Sequence, residues 1–190
     1  HTRSLCDWSS DVCSSDLARY VDGAAFHHYE GEPEAMARLI ARFPGKRAYF
    51  TEGSTFGAGG AARMISYFNS GASSYNAWVS MIDQDRKPNP GPHPCSLTGV
   101  VLHRDTMKLE YRFDYFMYGS FSKFVRPGAV RIGAERLGNA PACAAFRNVD
   151  KAFVLVAANP DPQAKAFRVE WGNSSVDVVL PPKSVGTLQW

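Results

Sequence analysis

The sequence predicts an α/β segment of parallel strands and crossover helices, followed by an all-β segment of short antiparallel strands. Three observations carry this reading. Between Val21 and Ile82 short apolar runs alternate with helical patterns, in the order strand, helix, strand, helix, strand. After Pro127 the texture changes to short strand-like runs separated by Asn, Asp, Gly and Pro. The 190 residues are 45% hydrophobic and 21% charged, an ordinary globular balance with enough apolar side chains for a core.

The first seventeen residues stand outside this pattern. His1–Leu17 has no hydrophobic period and repeats a Cys/Ser/Asp theme, CDWSSDV and then CSSDL. It lacks the apolar stretch of a secretion signal. From Cys6 to Leu17 it resembles the translation of a sequencing-library adapter, so residues 1–17 are expected to be a disordered, non-native segment. The segment holds one basic residue, Arg3, and three acidic ones, Asp7, Asp11 and Asp16. The chain's 21 basic and 18 acidic residues therefore become 20 and 15, a net charge of +5 in place of +3. Cys95 and Cys143 remain, 48 positions apart, which is neither a disulfide framework nor a zinc motif. The charges are scattered, which argues against a nucleic-acid-binding arm. No stretch reaches the ~18 apolar residues of a membrane helix.

The elements follow in order. Val21–Tyr29 is an apolar run behind Asp22-Gly23 and reads as a buried strand. Pro33 suits a first helical turn, and Met36, Leu39, Ile40 and Phe43 recur on one helical face until Pro44-Gly45 stops it. Ala48–Thr51 is a second strand, running into Glu52-Gly53-Ser54. A glycine-rich loop, Phe56–Gly60, leads to a helix with Met64, Ile65 and Phe68 on one face. Ser74–Ile82 is a third strand, followed by a Pro-rich loop, Asp83–Cys95. Val100–Leu102 and Lys108–Tyr111 predict a hairpin around Asp105-Thr106. Arg112–Phe124 predicts a helix ending before Arg126-Pro127-Gly128. The sandwich strands are expected at Ala129–Ile132, Ala144–Arg147, Phe153–Ala158, Ala166–Trp171, Val176–Leu180 and Val185–Gln189. The expected organisation is residues 1–17, an α/β part over 18–125 and a β-sandwich over 126–190.

Polar groups sit at the ends of the predicted parallel strands: His27-His28-Tyr29, Glu52, and Asn76 with Trp78. Strand C-terminal ends carry the sites of α/β barrels and open sheets. An acid that ends an apolar strand, as Glu52 does, can serve as nucleophile, general base or metal ligand. It can equally be a solvated or helix-capping loop acid. In a regular strand His27 and His28 point to opposite sides. Tyr29 carries a hydroxyl able to hold a carboxylate. Trp78 is either core or a stacking surface for a sugar. No third and fourth donor at zinc spacing accompanies the histidines.

In sequence, GAAFHHY (from Gly23), YFTEGS (from Tyr49), NAWVSMID (from Asn76) and GSFSKFVRPGAVRIG (from Gly119), with the ending LPPKSVGTLQW, resemble glycoside hydrolase family 30. That family includes glucosylceramidases and endo-β-1,6-glucanases, and the resemblance covers Ala18–Trp190. It implies a (β/α)8 barrel with a side β-sandwich, in which Val21–Tyr29, Ala48–Thr51 and Ser74–Ile82 are barrel strands six, seven and eight. It implies a retaining glycosidase, which needs two carboxyls about 5–5.5 Å apart. Glu52 falls on the nucleophile and Tyr29 on the tyrosine that hydrogen-bonds it. His27 falls on an active-site histidine and Trp78 on the tryptophan that helps bind the sugar, with His28 and Asn76 as further substrate-binding candidates. Two positions depart from the pattern. Trp78 is followed by Val79 where many members have Asn, and His28 stands where glucosylceramidases often have Trp.

The acid/base of the family belongs to the fourth barrel strand, upstream of this chain. Glu30, Glu32 and Glu34 lie at a helix start, where acids are favoured by the helix dipole, and do not replace it. The resemblance therefore implies the C-terminal portion of a longer enzyme, inactive alone, acting on a β-glucan oligosaccharide or glucosyl lipid without metal or cofactor. Two other readings stay open. The chain could be a non-catalytic carbohydrate-binding module using Trp171 and Trp190 on the sandwich. It could also be a metal-assisted hydrolase using His27, His28 and Glu52.

Overall fold

The computed structural model describes residues 16–88 and 98–190. Residues 1–15, most of the adapter-like segment, and 89–97, most of the Pro-rich loop with Cys95, lie outside the described residues. A 3-10 turn at Asp16–Tyr20 precedes the first strand. The Lys46 ammonium donates to the carbonyls of Ala18 and Val21. The chain forms two compact units. Of the described residues, one comprises those up to Gly53 with Tyr67–Asn76, and the other comprises Ser54–Ser66 with those from Ala77 to Trp190.

In the first unit, β1 (Gly23–His27), β2 (Arg47–Glu52) and β3 (Ala72–Tyr75) form a parallel sheet in the order β1-β2-β3. Parallel neighbours need a crossover between them, and helices supply both. These are α1 (Glu34–Arg42), which lies in this unit, and α2 (Gly57–Asn69), of which only Tyr67–Asn69 belong to it. The α1 stripe read from the sequence is the buried one. Met36 and Leu39 are in the core, and Ile40 and Phe43 pack against it. Pro33 takes the N-cap position, with Glu34 in the first turn and Arg42 in the last, as the helix dipole favours. Gly45, at φ +89°, reverses the chain where a side chain would be strained. Ala48 and Phe50 of β2 complete this core with Tyr67.

The second unit holds the hairpin, the third helix and the sandwich. β4 (Met81–Asp83) runs parallel to β5 (Val100–His103), which pairs antiparallel with β6 (Lys108–Tyr111). α3 (Phe113–Ser122) follows. A four-stranded antiparallel sheet has the order β12-β9-β8-β7. Its members are β7 (Val130–Ile132), β8 (Ala142–Arg147), β9 (Phe153–Asn159) and β12 (Ser184–Gln189). β10 (Lys165–Trp171) and β11 (Ser174–Leu180) form a separate antiparallel pair. β9 reads FVLVAAN and is buried from Val154 to Asn159, as a strand covered on both faces must be. On one side α3 meets β12, where Thr187 Oγ1 donates to the Ser120 carbonyl at 2.7 Å.

Two buried asparagines fix the turns of this unit. Asn148 donates to the Phe124 carbonyl at 2.8 Å and accepts from the Arg126 amide at 3.0 Å, tying the end of α3 to the β8–β9 turn. Asn159, fully buried, donates to the carbonyls of Gln163, Leu180 and Pro181 and accepts from the Asp161 amide.

The strands beyond Pro127 lie within about two residues of the sequence expectation. Two expectations at the other end are corrected. The first strand ends at His27, and His28–Gly31 form a bend. The run Ser74–Ile82 is not one strand. It divides into β3 and β4, which belong to different sheets. Between them the Asn76 amide donates to the Phe50 carbonyl at 2.8 Å, and Trp78 makes an isolated bridge to Ser54. These bonds take the place of a continuous ladder.

Candidate active site

The register of β1 on β2 sets the geometry. Pairing is regular from Gly23↔Arg47 to Phe26↔Phe50, but the next pair is His27↔Glu52. One step along β1 is matched by two along β2, a bulge that takes up Thr51. Bulges bend a strand and re-aim a side chain. With strict alternation Glu52 would share the face of Ala48 and Phe50, which packs on Met36 and Leu39 of α1 and on Tyr67. The bulge places it beside His27 on the opposite, open face, where His27 and Thr51 are exposed and Glu52 is half-buried.

Tyr29 reaches back to this carboxylate. Its hydroxyl donates to Glu52 Oε1 at 2.5 Å. That bond, with the adjoining negative charge, holds the Tyr29 phenol above its usual pKa, so it stays a proton donor through the physiological range. The Tyr29 ring is flanked by both histidines. The His27 ring meets it edge-on at 5.4 Å and the His28 ring lies tilted against it at 5.1 Å. His28 also faces Phe50 at 6.3 Å. Phe50 is fully buried and stacked on Tyr75 at 4.1 Å.

Tyr29, Glu52, His27 and His28 thus gather at one end of the β1–β2 pair, in a single unit. Asn76 belongs to the same unit, just past β3, with an exposed side chain. Trp78 belongs to the other unit, and its indole is 45% exposed. Sequence reasoning missed the bulge at Thr51 and the close seat at Gly53. A β-carbon on Gly53 would lie 2.4 Å from His28 Nδ1 and 2.5 Å from Phe50 Cζ. A glycine directly after a strand-ending acid is the only sequence trace of that contact.

Among the described residues no group of three or more His, Cys, Asp or Glu is placed to hold a metal ion. His27, His28 and Glu52 therefore do not gather as a ligand set. No helix among those residues is long and apolar enough to cross a membrane.

No curated protein sequence matches the chain significantly. Residues 128–188 match the glycosyl hydrolase family 30 beta sandwich domain. The whole fold is similar to the crystal structure of SrfJ from Salmonella typhimurium, with TM-score 0.86 and 28% identity over 98% of this chain. It is also similar to the endo-β1,6-glucanase BT3312, with TM-score 0.83 and 26% identity over 96% of this chain. The catalytic domain of a family 30 xylanase C from Talaromyces cellulolyticus shares the fold, with TM-score 0.71 and 17% identity over 97% of this chain and 49% of the xylanase. The chain spans 44% of the length of SrfJ and of the glucanase. The α/β part is accordingly the last portion of a (β/α)8 barrel, and the antiparallel strands are the side sandwich. Residues 128–188 are thus the part of the chain that matches a glycoside hydrolase family 30 sandwich, and the fold as a whole is similar to longer solved structures that include a family 30 xylanase.

Proposed function

We propose that this chain is the C-terminal portion of a retaining β-glycosidase that cleaves O-glycosidic bonds by double displacement. Glu52 is the nucleophile and Tyr29 orients it. The observation that carries the reading is the Tyr29–Glu52 hydrogen bond at the end of a parallel strand, on the face to which the bulge turns the carboxylate. A nucleophilic carboxylate must be ionised and aimed. A phenol that keeps its proton does both, since it stabilises the anion and fixes one oxygen. The other oxygen, Oε2, is the one that bonds the anomeric carbon as the aglycone leaves.

The acid/base carboxyl, about 5–5.5 Å from the nucleophile in a retaining site, is supplied by barrel strands beyond this chain. The partial coverage of the similar structures supports that division. His27, His28 and Asn76 are the substrate-binding candidates beside Glu52, and Trp78 is the sugar-stacking candidate of the second unit. The similarity to an endo-β1,6-glucanase supports a β-glucan oligosaccharide as substrate class. The domain boundaries that suit this reading are 18–125 for the barrel part and 126–190 for the sandwich.

The test is turnover of an aryl β-glucoside. The 190-residue chain should show none. The chain joined to its own preceding reading frame should turn over, and Glu52→Gln should abolish this. Turnover by the 190-residue chain that Glu52→Gln abolishes would overturn the division.

One observation bears on the carbohydrate-binding alternative. Trp171 and Trp190 are 45% and 44% exposed and meet at Phe153, with ring centroids 4.2 and 6.0 Å from it. The three rings are inclined to one another and packed together, which favours a small apolar cluster over a flat sugar platform. Binding of oligosaccharides to the chain that Trp171→Ala removes would favour the module.

A further inference from the structure

His28, a substrate-binding candidate in the proposed function, also has a seat that bears on Tyr29. It stands outside the β1 ladder, in the bend that follows it, and is half-buried where its neighbours His27 and Tyr29 are exposed. Its Nδ1 edge is buried. The ring is pressed against Gly53, the residue after Glu52, so closely that a single added methyl would overlap it at 2.4 Å. One neighbour is Phe50, the fully buried anchor of β2, and another is Tyr29. Tyr29 is 64% exposed and has no strand partner to hold it. An exposed tyrosine side chain is free to rotate unless something fixes it.

We propose that His28 is a positioning residue. Its imidazole, seated on Gly53 and wedged between Phe50 and Tyr29, sets the angle at which the Tyr29 hydroxyl meets Glu52. The wedge works by shape. Phe50 is fixed by the core, His28 is fixed by Phe50 and Gly53, and Tyr29 is fixed by His28. His27 supports the same ring from its edge. The link from this positioning to catalysis rests on the proposed nucleophile. The contact itself does not.

The test follows the Tyr29 phenol in the 190-residue chain by NMR of 13Cζ-labelled tyrosine, with Tyr29→Phe assigning the signal. The groups facing the phenol are Glu52, His27 and His28. In the wild type the phenol should titrate above the ordinary tyrosine range. His28→Ala should return it to that range, and His28→Phe, which keeps a flat ring in the seat, should preserve the upward shift. Gly53→Ala, which obstructs the seat from the other side, should act like His28→Ala, and it carries the test if His28→Ala does not fold.

An ordinary wild-type titration would overturn the proposal. So would a folded His28→Ala or Gly53→Ala chain that keeps the shift, or a His28→Phe chain that loses it. The titration needs no turnover, so the two readings fail separately. If Glu52 is not the nucleophile, Glu52→Gln leaves the longer enzyme active while the titration result stands. If the wedge is wrong, Glu52→Gln is still inactive and the titration is unchanged by the variants.

Discussion

Replacing Phe50 by alanine tests whether the core of the first unit supports the candidate site. The phenyl ring is fully buried among Met36, Leu39, Ala48 and Tyr67, with centroids 4.1 Å from the Tyr75 ring and 4.5 Å from the Tyr67 ring. Removing a buried phenyl group costs about 3–5 kcal/mol from lost transfer energy and the remaining cavity. The upper half of that range applies here, because two aromatic partners lose a ring at once and two strands hold the walls apart. Against a domain stability of about 5–15 kcal/mol this is roughly a quarter or more of the total. Phe50→Leu keeps most of the volume and should cost about 1.5 kcal/mol or less. Hydrogen exchange resolved to residues 47–52 is the assay. Phe50→Ala should speed exchange there by roughly 10³-fold or a few times more, since each 1.4 kcal/mol is about a factor of ten. The Tyr29 phenol should also lose its upward shift. Protection retained within about tenfold of wild type would refute the reasoning.

Other outcomes follow from the same geometry. In the longer enzyme Glu52→Gln should lower kcat by about 10³-fold or more. Tyr29→Phe should lower it by about 10–100-fold with a smaller change in KM, and a larger effect on KM would place Tyr29 on the sugar instead. Asn159→Asp should destabilise the sandwich by about 3–5 kcal/mol, more than Asn159→Ala, because it turns an anion toward three carbonyls. A melting temperature higher for Asp than for Ala at neutral pH would contradict this. Stability should also depend on pH at both extremes. The Arg168 guanidinium holds the Asp177 carboxyl below its usual range, and His103 with Arg112 does the same for Glu110. Their contributions are present above about pH 4 and are lost as pH falls through the depressed values. Tyr29 has the opposite sign, and its contribution is lost as pH rises beyond about 10. Thermal melts across pH in low and high salt check both ends, and an acid limb insensitive to Asp177→Asn with Glu110→Gln would contradict the assignment.

Much of this fold is legible in the sequence because period and punctuation agree. Met36, Leu39, Ile40 and Phe43 lie on one helical face, and that face is the buried one. FVLVAAN admits no polar side until Asn159, and β9 is buried from Val154 onward. The run from Ser74 to Ile82 misleads because an apolar stretch does not encode which partner each residue takes. The bond from Asn76 to Phe50 and the bridge from Trp78 to Ser54 are long-range pairings that divide it. At the candidate site Glu52 and Tyr29 can be singled out as candidates in the sequence, but their mutual geometry cannot. A bulge at Thr51 depends on the register of a neighbouring strand. The seat of His28 on Gly53 depends on a bend that breaks the expected alternation after His27.

The central claim is that Glu52 forms a covalent glycosyl intermediate. Its most direct test is to join the chain to its own preceding reading frame and treat the protein with an activated 2-deoxy-2-fluoro-β-glucoside, followed by peptide mass mapping. The account predicts one fluoroglucosyl group on Glu52, none in Glu52→Gln, and, with an ordinary aryl β-glucoside in a separate reaction, a first product of unchanged anomeric configuration. A label on another carboxylate, or a first product of inverted configuration, would contradict it.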